Sequence, residues 1–157
     1  QKSIMIQEFI GTGYVLNSVH TKILLIHHKK FNKWLPPGGH CNANEAPHEA
    51  ARREVMEETG VTAQFIEPKD SKIQPLSSLE EQVPTPYCVL KEFIEGKFGK
   101  GEDHYHIDFI YLMEAPEGIL TRNEKETLDL GWFGKDQIKD LPTFTGFQSI
   151  AEKILNK

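Results

Sequence analysis

Residues 38–61, "GGHCNANEAPHEAARREVMEETGV", bring a glycine pair, five glutamates and two adjacent arginines into one short stretch. Glu54, Glu57 and Glu58 stand at i, i+3 and i+4. On a helix turning about 100° per residue they fall within an arc of roughly 100°. Ala51 and Val55 continue from that arc into an apolar face, so the acids border the core. An exposed acidic face is one reading, because like charges at these spacings cost only about 0.2–0.5 kcal/mol per pair. A metal site is the other. With an effective dielectric constant of about 20, two carboxylates roughly 6 Å apart repel by up to about 3 kcal/mol, and a divalent cation reverses the sign. An oxygen-only ligand set suits Mg²⁺ or Mn²⁺ better than Zn²⁺. The Gly38-Gly39 loop could add a backbone carbonyl. Arg53 follows Glu49 by four residues and precedes Glu57 by four, so it can pair with either and hold a carboxylate in one rotamer. Arg52 projects elsewhere, as a surface charge. Helix geometry alone leaves the two readings equal.

Other residues could meet a substrate. His104, His106 and Asp108 alternate on one strand and share a face. They could line a cleft and contact phosphate, but the same period belongs to any half-exposed strand, and a water-facing polar side is the expectation. Phe31 and Trp34 could stack on a base, with an anchoring role for Trp34 as the alternative. Lys97 and Lys100, in the loop "EGKFGKGED", could meet a phosphate or simply be solvated.

The elements that must position these residues follow from pattern. Val15-Leu16 and Ile23 to Ile26 form two β-prone runs around "NSVHT", a hairpin signal. Pro36 and Pro37 in "WLPPGGH" rule out helix, and the glycines permit close backbone approach. Helix signals begin near Ala46, with Pro47 in the first turn, Glu49 at the positive helix end and Gly60 as the stop. "VTAQFIE", "PYCVLKEFI", "HYHIDFIYLMEA" and "TLDLGWF" read as strands. A last helix spans residues 146–156, with Phe147, Ile150, Ala151, Ile154 and Leu155 as its buried stripe. Helices packed on a mixed sheet are the predicted architecture.

The 157 residues, 38% of them hydrophobic, suit one domain spanning 1–157. A net charge of -5 gives no overall basic field for polymeric nucleic acid. Cys41 and Cys88 lack metal or disulfide spacing and read as reduced thiols. No apolar run approaches a membrane span and the start lacks a signal-peptide pattern, so a cytoplasmic protein with no membrane partner is expected. Gln1 leaves room for a longer natural N-terminus.

The complete spacing breaks the tie. Gly39, five residues, Glu45, seven residues, then Arg53-Glu54-Val55-x-Glu57-Glu58-x-Gly60-Val61 resembles the Nudix hydrolase signature at every fixed position. The flanking hairpin and Trp132-Phe133 also stand where that family has them. The resemblance implies an α/β fold, a Nudix-type α/β/α sandwich with a mixed β-sheet flanked by helices. It implies a Mg²⁺- or Mn²⁺-dependent pyrophosphohydrolase that cleaves a nucleoside diphosphate linked to another group. Glu54, Glu57 and Glu58 would bind metal, aided by a carbonyl of Gly38 or Gly39. Glu54 is a candidate base, and an outside carboxylate, Glu126 or Glu102 foremost, is the alternative. Arg53 and Glu45 would orient the site. The partner would be a small nucleotide-type molecule, and a homodimer is allowed. Two other classes share the fold: a non-catalytic nucleotide-binding regulatory module, usually marked by a broken signature, and an isomerase of allylic diphosphates.

Overall fold

A computed structural model describes residues 5–96 and 101–155. Lys97, Lys100 and Asn156, named from sequence, lie outside the described residues. In chain order the elements are β1 (Gln7–Leu16), β2 (Lys22–His28), β3 (Lys33–Leu35), β4 (Gly38–His40), α1 (Pro47–Thr59), β5 (Gln64–Phe65), β6 (Cys88–Ile94), β7 (His104–Glu114), β8 (Thr127–Gly134), α2 (Lys135–Ile138) and α3 (Thr145–Leu155).

The sheet is mixed. β1 runs parallel to β7 from Gln7↔Tyr105 to Leu16↔Glu114, while the pairings of β6 with β7 and of β8 with β2 are antiparallel. β1 meets β2 only at Leu16↔Ile23, and its middle, Ile10 to Thr12, takes β4 as an antiparallel neighbour. Strand alternation then sorts the core into two layers. Val15, Leu24, Tyr111 and Met113 pack with Ala51 and Val55 of α1. Tyr14, Leu16, Ile23, Leu25 and Ile110 pack on the opposite face with Ile138 of α2 and Phe147, Ala151 and Ile154 of α3. The result is the mixed sheet with packed helices that the pattern predicts, in the α/β/α arrangement that the family resemblance implies.

Two glycines of β1 set the seat of α1. A Cβ on Gly11 would lie 2.1 Å from the Pro47 carbonyl oxygen and 2.7 Å from the Ala51 nitrogen. At Gly13 it would lie 2.6 Å from Val55 Cγ2. The helix backbone therefore rests directly on the strand, closer than any side chain would permit. The helix starts at Ala46, whose side chain makes no cap; Glu49 Oε1 instead accepts the Ala46 N–H at 3.1 Å, the acidic half of a capping box. It ends at Gly60 with φ 75°, where the N–H returns to the Met56 carbonyl at 2.8 Å.

The structure corrects several boundaries. Gly38 and Gly39 belong to a strand, β4, not to a loop. "VTAQFIE" pairs only at Gln64 and Phe65. β1 begins at Gln7, well before Val15, because Gly11, Thr12 and Gly13 dilute the apolar alternation that marks a strand. Among the described residues no helix is long and apolar enough to cross a membrane.

Candidate active site

The pairing of β4 with β1 places the glycines against the acids of α1. Gly39 lies opposite Gly11 and shares its face, so it looks towards the helix. A Cβ on Gly39 would sit 2.6 Å from Glu54 Oε1, space that the carboxylate now uses. Gly38 donates its N–H to Glu58 Oε1 at 3.0 Å. The glycine pair thus contributes the close approach expected from sequence and, beyond the expected carbonyl, a backbone donor.

Glu58 is 1% exposed. Burial first, and the neighbouring Glu54 charge second, push its carboxyl up to about 9, so it holds a proton in the absence of a cation. Burial also raises Glu54, against the opposing pull of Arg53. The third carboxylate is Glu126, whose backbone is fixed at the entrance to β8: its carbonyl accepts the Lys29 N–H at 3.0 Å and its N–H reaches the Asn123 carbonyl at 3.2 Å. One oxygen from each of Glu54, Glu58 and Glu126 lies within 4.8 Å of the others. Glu57 stands aside, its side chain 53% exposed. Glu102 lies just before β7, where its carbonyl faces His104, and is not in this group.

Arg53 ties the site together with all five of its N–H donors. Nε and Nη2 grip the Glu45 carboxylate at 2.7 and 2.9 Å in a fork. Nη1 donates to Glu54 Oε1 at 2.8 Å and Glu57 Oε2 at 3.1 Å, and Nη2 also reaches the His40 carbonyl at 3.0 Å. Its hydrogen bond to Glu45 holds that carboxyl below the usual range. The sequence offered Glu49 or Glu57 as partners; Glu49 is committed to the helix start, and Glu45 takes its place. Arg52, expected as a plain surface charge, lies over the Phe65 ring at 4.7 Å.

The opposite face of the sheet carries His104, His106 and Asp108 of β7, and it is not the water-facing side expected. Asp108 is 8% exposed and accepts a hydrogen bond from Thr12 Oγ1 at 2.6 Å. Burial and then Asp108 push the adjacent Glu92 up to about 8. Burial, with His40 and His104 next in size, lowers His106 to about 4. Sequence reasoning missed Glu8 and His40, which complete this cluster. Their signal was the register: Glu8 pairs with His106 across β1 and β7, and His40 pairs with Ile10 across β4 and β1. Trp34 stacks on His27 and meets Phe133 edge-on, within the packed layer. Phe31 packs against His28 and Phe144.

Comparison with known proteins agrees with this geometry. The family model for the NUDIX domain matches residues 9–153. A zebrafish (Danio rerio) protein named m7GpppN-mRNA hydrolase NUDT17 is 39% identical over 140 residues, 83% of this chain and 43% of its own length. A probable DHNTP pyrophosphohydrolase of Lactococcus lactis is 33% identical over 112 residues, 71% of this chain and 55% of its own. The chain therefore spans about half the length of these relatives. A solved NUDIX-family hydrolase from Clostridium perfringens superposes with a TM-score of 0.79 at 25% identity, covering 97% of this chain and 98% of that one. With its intact signature helix, its α/β/α layers and a family match along most of its length, the chain belongs to the Nudix family.

Proposed function

We propose that the chain is a Nudix pyrophosphohydrolase that uses Mg²⁺ or Mn²⁺ to split a phosphoanhydride in a nucleotide-type small molecule. The observation that carries this reading is the convergence of Glu54, Glu58 and Glu126 on one point, two of them with carboxyls raised by burial. Three carboxylates so close, with a proton held between two of them, form a donor set that a hard divalent cation fits. A bound Mg²⁺ would supply charge neutralisation for the diphosphate and activation of the attacking water.

The chain's own residues then have distinct tasks. Glu54 and Glu58 would hold the cation from the helix and Glu126 from the entrance to β8, with Glu57 reaching in from the solvent side and a Gly38 or Gly39 carbonyl as a further ligand. Arg53 and Glu45 fix the Glu54 rotamer and keep β4 in register through the His40 carbonyl. Glu54 is the proposed general base and Glu126 the alternative from outside the signature; Glu102 is set aside because of its position. Phe31 is the candidate substrate contact kept here, because His104 and His106 lie on the sheet face turned away from these carboxylates.

One relative is named for m7GpppN-mRNA and another for DHNTP, and the class of substrate proposed for this chain is a nucleotide-type phosphoanhydride. The test is a product screen with Mg²⁺ or Mn²⁺ over nucleoside triphosphates, nucleoside diphosphate sugars, dinucleotides, capped RNA and non-nucleoside diphosphates, read by product mass. Cleavage at a phosphoanhydride, lost in folded Glu57→Gln and Glu54→Gln, is the expected result. Ligand-induced stabilisation with no cleavage anywhere would overturn the hydrolase reading in favour of a binding module, and a rearranged, uncleaved product would indicate an isomerase.

A further inference from the structure

We propose that Glu8, His104 and His106 form a second divalent-metal site, for a transition-metal ion of the Zn²⁺ class, on the sheet face opposite the Nudix carboxylates. The parallel register of β1 and β7 sets Glu8 beside His106, and His104 follows two residues away on the same face. One ligand atom from each of the three lies within 4.8 Å of the others.

The hydrogen-bond pattern supports a cation at their centre. His104 Nδ1 lies 3.0 Å from the Glu102 carbonyl oxygen, which can only accept, so Nδ1 carries the hydrogen. In the neutral ring Nε2 then bears a free lone pair. That atom is 3.1 Å from His106 Nε2 and 3.3 Å from Glu8 Oε1. Three electron-pair donors thus converge without an evident hydrogen for each contact. Two ligands each about 2.1 Å from one tetrahedral ion lie roughly 3.4 Å apart, which is near the spacing found here. An imidazole fixed by an Nδ1–H to a backbone carbonyl is also the usual support for a metal-ligating Nε2.

The donor set differs from that of the hydrolytic centre. Two imidazoles and one carboxylate select Zn²⁺, Co²⁺ or Ni²⁺ over Mg²⁺. His40 Nε2, 3.5 Å from Glu8 Oε1, stands beside the cluster as a further donor. The His104 side chain is 14% exposed and that of Glu8 is 43%, so the group is recessed yet open to an entering ion. The Lys30 ammonium is the charge that opposes a cation here, and a bound anion is the competing outcome.

The experiment uses the full chain and Zn²⁺ as the probe. Calorimetric titration of the wild type and of Glu54→Gln should show a retained equivalent of Zn²⁺ whose affinity falls at least about tenfold in His104→Ala and in His106→Ala. Circular dichroism checks that each variant folds. Independently of any variant, long-range ¹H–¹⁵N spectra of the wild-type imidazoles should show the Nε2 resonances of His104 and His106 moving on Zn²⁺ addition. Unchanged Zn²⁺ affinity in the folded histidine variants, or imidazole resonances that respond to inorganic phosphate and not to Zn²⁺, would overturn the proposal.

Discussion

The two faces of β1 solve opposite problems. Towards α1, Gly11 and Gly13 present no side chain, so the helix backbone settles on the strand and Glu58 takes a hydrogen bond from Gly38 of β4. On the other face Glu8 and Thr12 keep their side chains and bond outward to His104 and Asp108 of β7. Both faces carry acids with raised pKa values, but the means differ. Glu54 and Glu58 are crowded by packing against backbone; Glu92 and Asp108 are crowded by pairing across strands. The contrast shows that a charged centre can be set by what is missing from the strand as firmly as by what is present.

The largest effect should come from breaking the helix side. Glu58→Gln keeps an acceptor for the Gly38 N–H but removes the ionisable group. Turnover should fall on the order of a thousandfold, the scale of losing one group that stabilises developing charge. Steady-state kinetics on the substrate found by the product screen measure it. Arg53→Lys retains the charge but loses the five-donor fork, and a drop of about a hundredfold is expected from the displaced Glu54 and Glu57 carboxylates.

Two alanine substitutions sharpen the comparison between backbone and side-chain crowding. Gly11→Ala drives a Cβ into the Pro47 carbonyl and should cost at least about 3 kcal/mol in a denaturant melt. Gly39→Ala meets only the movable Glu54 carboxylate, so the fold should survive while turnover falls by roughly tenfold to a hundredfold. Equal losses of stability in the two would remove the distinction.

The smallest effect is the pH dependence of the metal-free protein. Glu58 has a folded pKa raised from 4.5 to about 9, so its contribution to stability is present below pH 4.5 and is lost as pH rises through about 9. Glu92 adds the same sign up to about 8. His106, lowered from 6.5 to about 4, acts the other way: stability is lost as pH falls from 6.5 through 4. Thermal melts of wild type and Glu58→Gln across pH 5–9 should show a shallower alkaline decline in the variant, and saturating Mg²⁺ should flatten the wild-type curve.

The helix was legible because its information is local. Pro47, the i, i+3, i+4 acids and Gly60 set its start, face and stop within a few turns, and the signature spacing gave the glycines their place beside it. Glu126 was named through the family resemblance as an outside carboxylate, although only the β2–β8 pairing and the Lys29 contact explain how it is held near the helix. β3 and β4 were hidden because three-residue strands flanking Pro36-Pro37 carry no usable period. Glu45 as the grip for Arg53 depends on how the turn before α1 folds back along the helix, whereas Glu8 and His40 beside the histidines depend on strand register between distant segments, which no local pattern records.

The most direct test of the account is Mn²⁺ binding followed by electron paramagnetic resonance, comparing the full chain with a folded Glu54→Gln/Glu58→Gln double variant. Bound Mn²⁺ is expected in the wild type with an oxygen-only coordination signal that the double variant lacks. An undiminished oxygen-coordinated signal in that variant would contradict the assignment of the metal centre to the α1 glutamates.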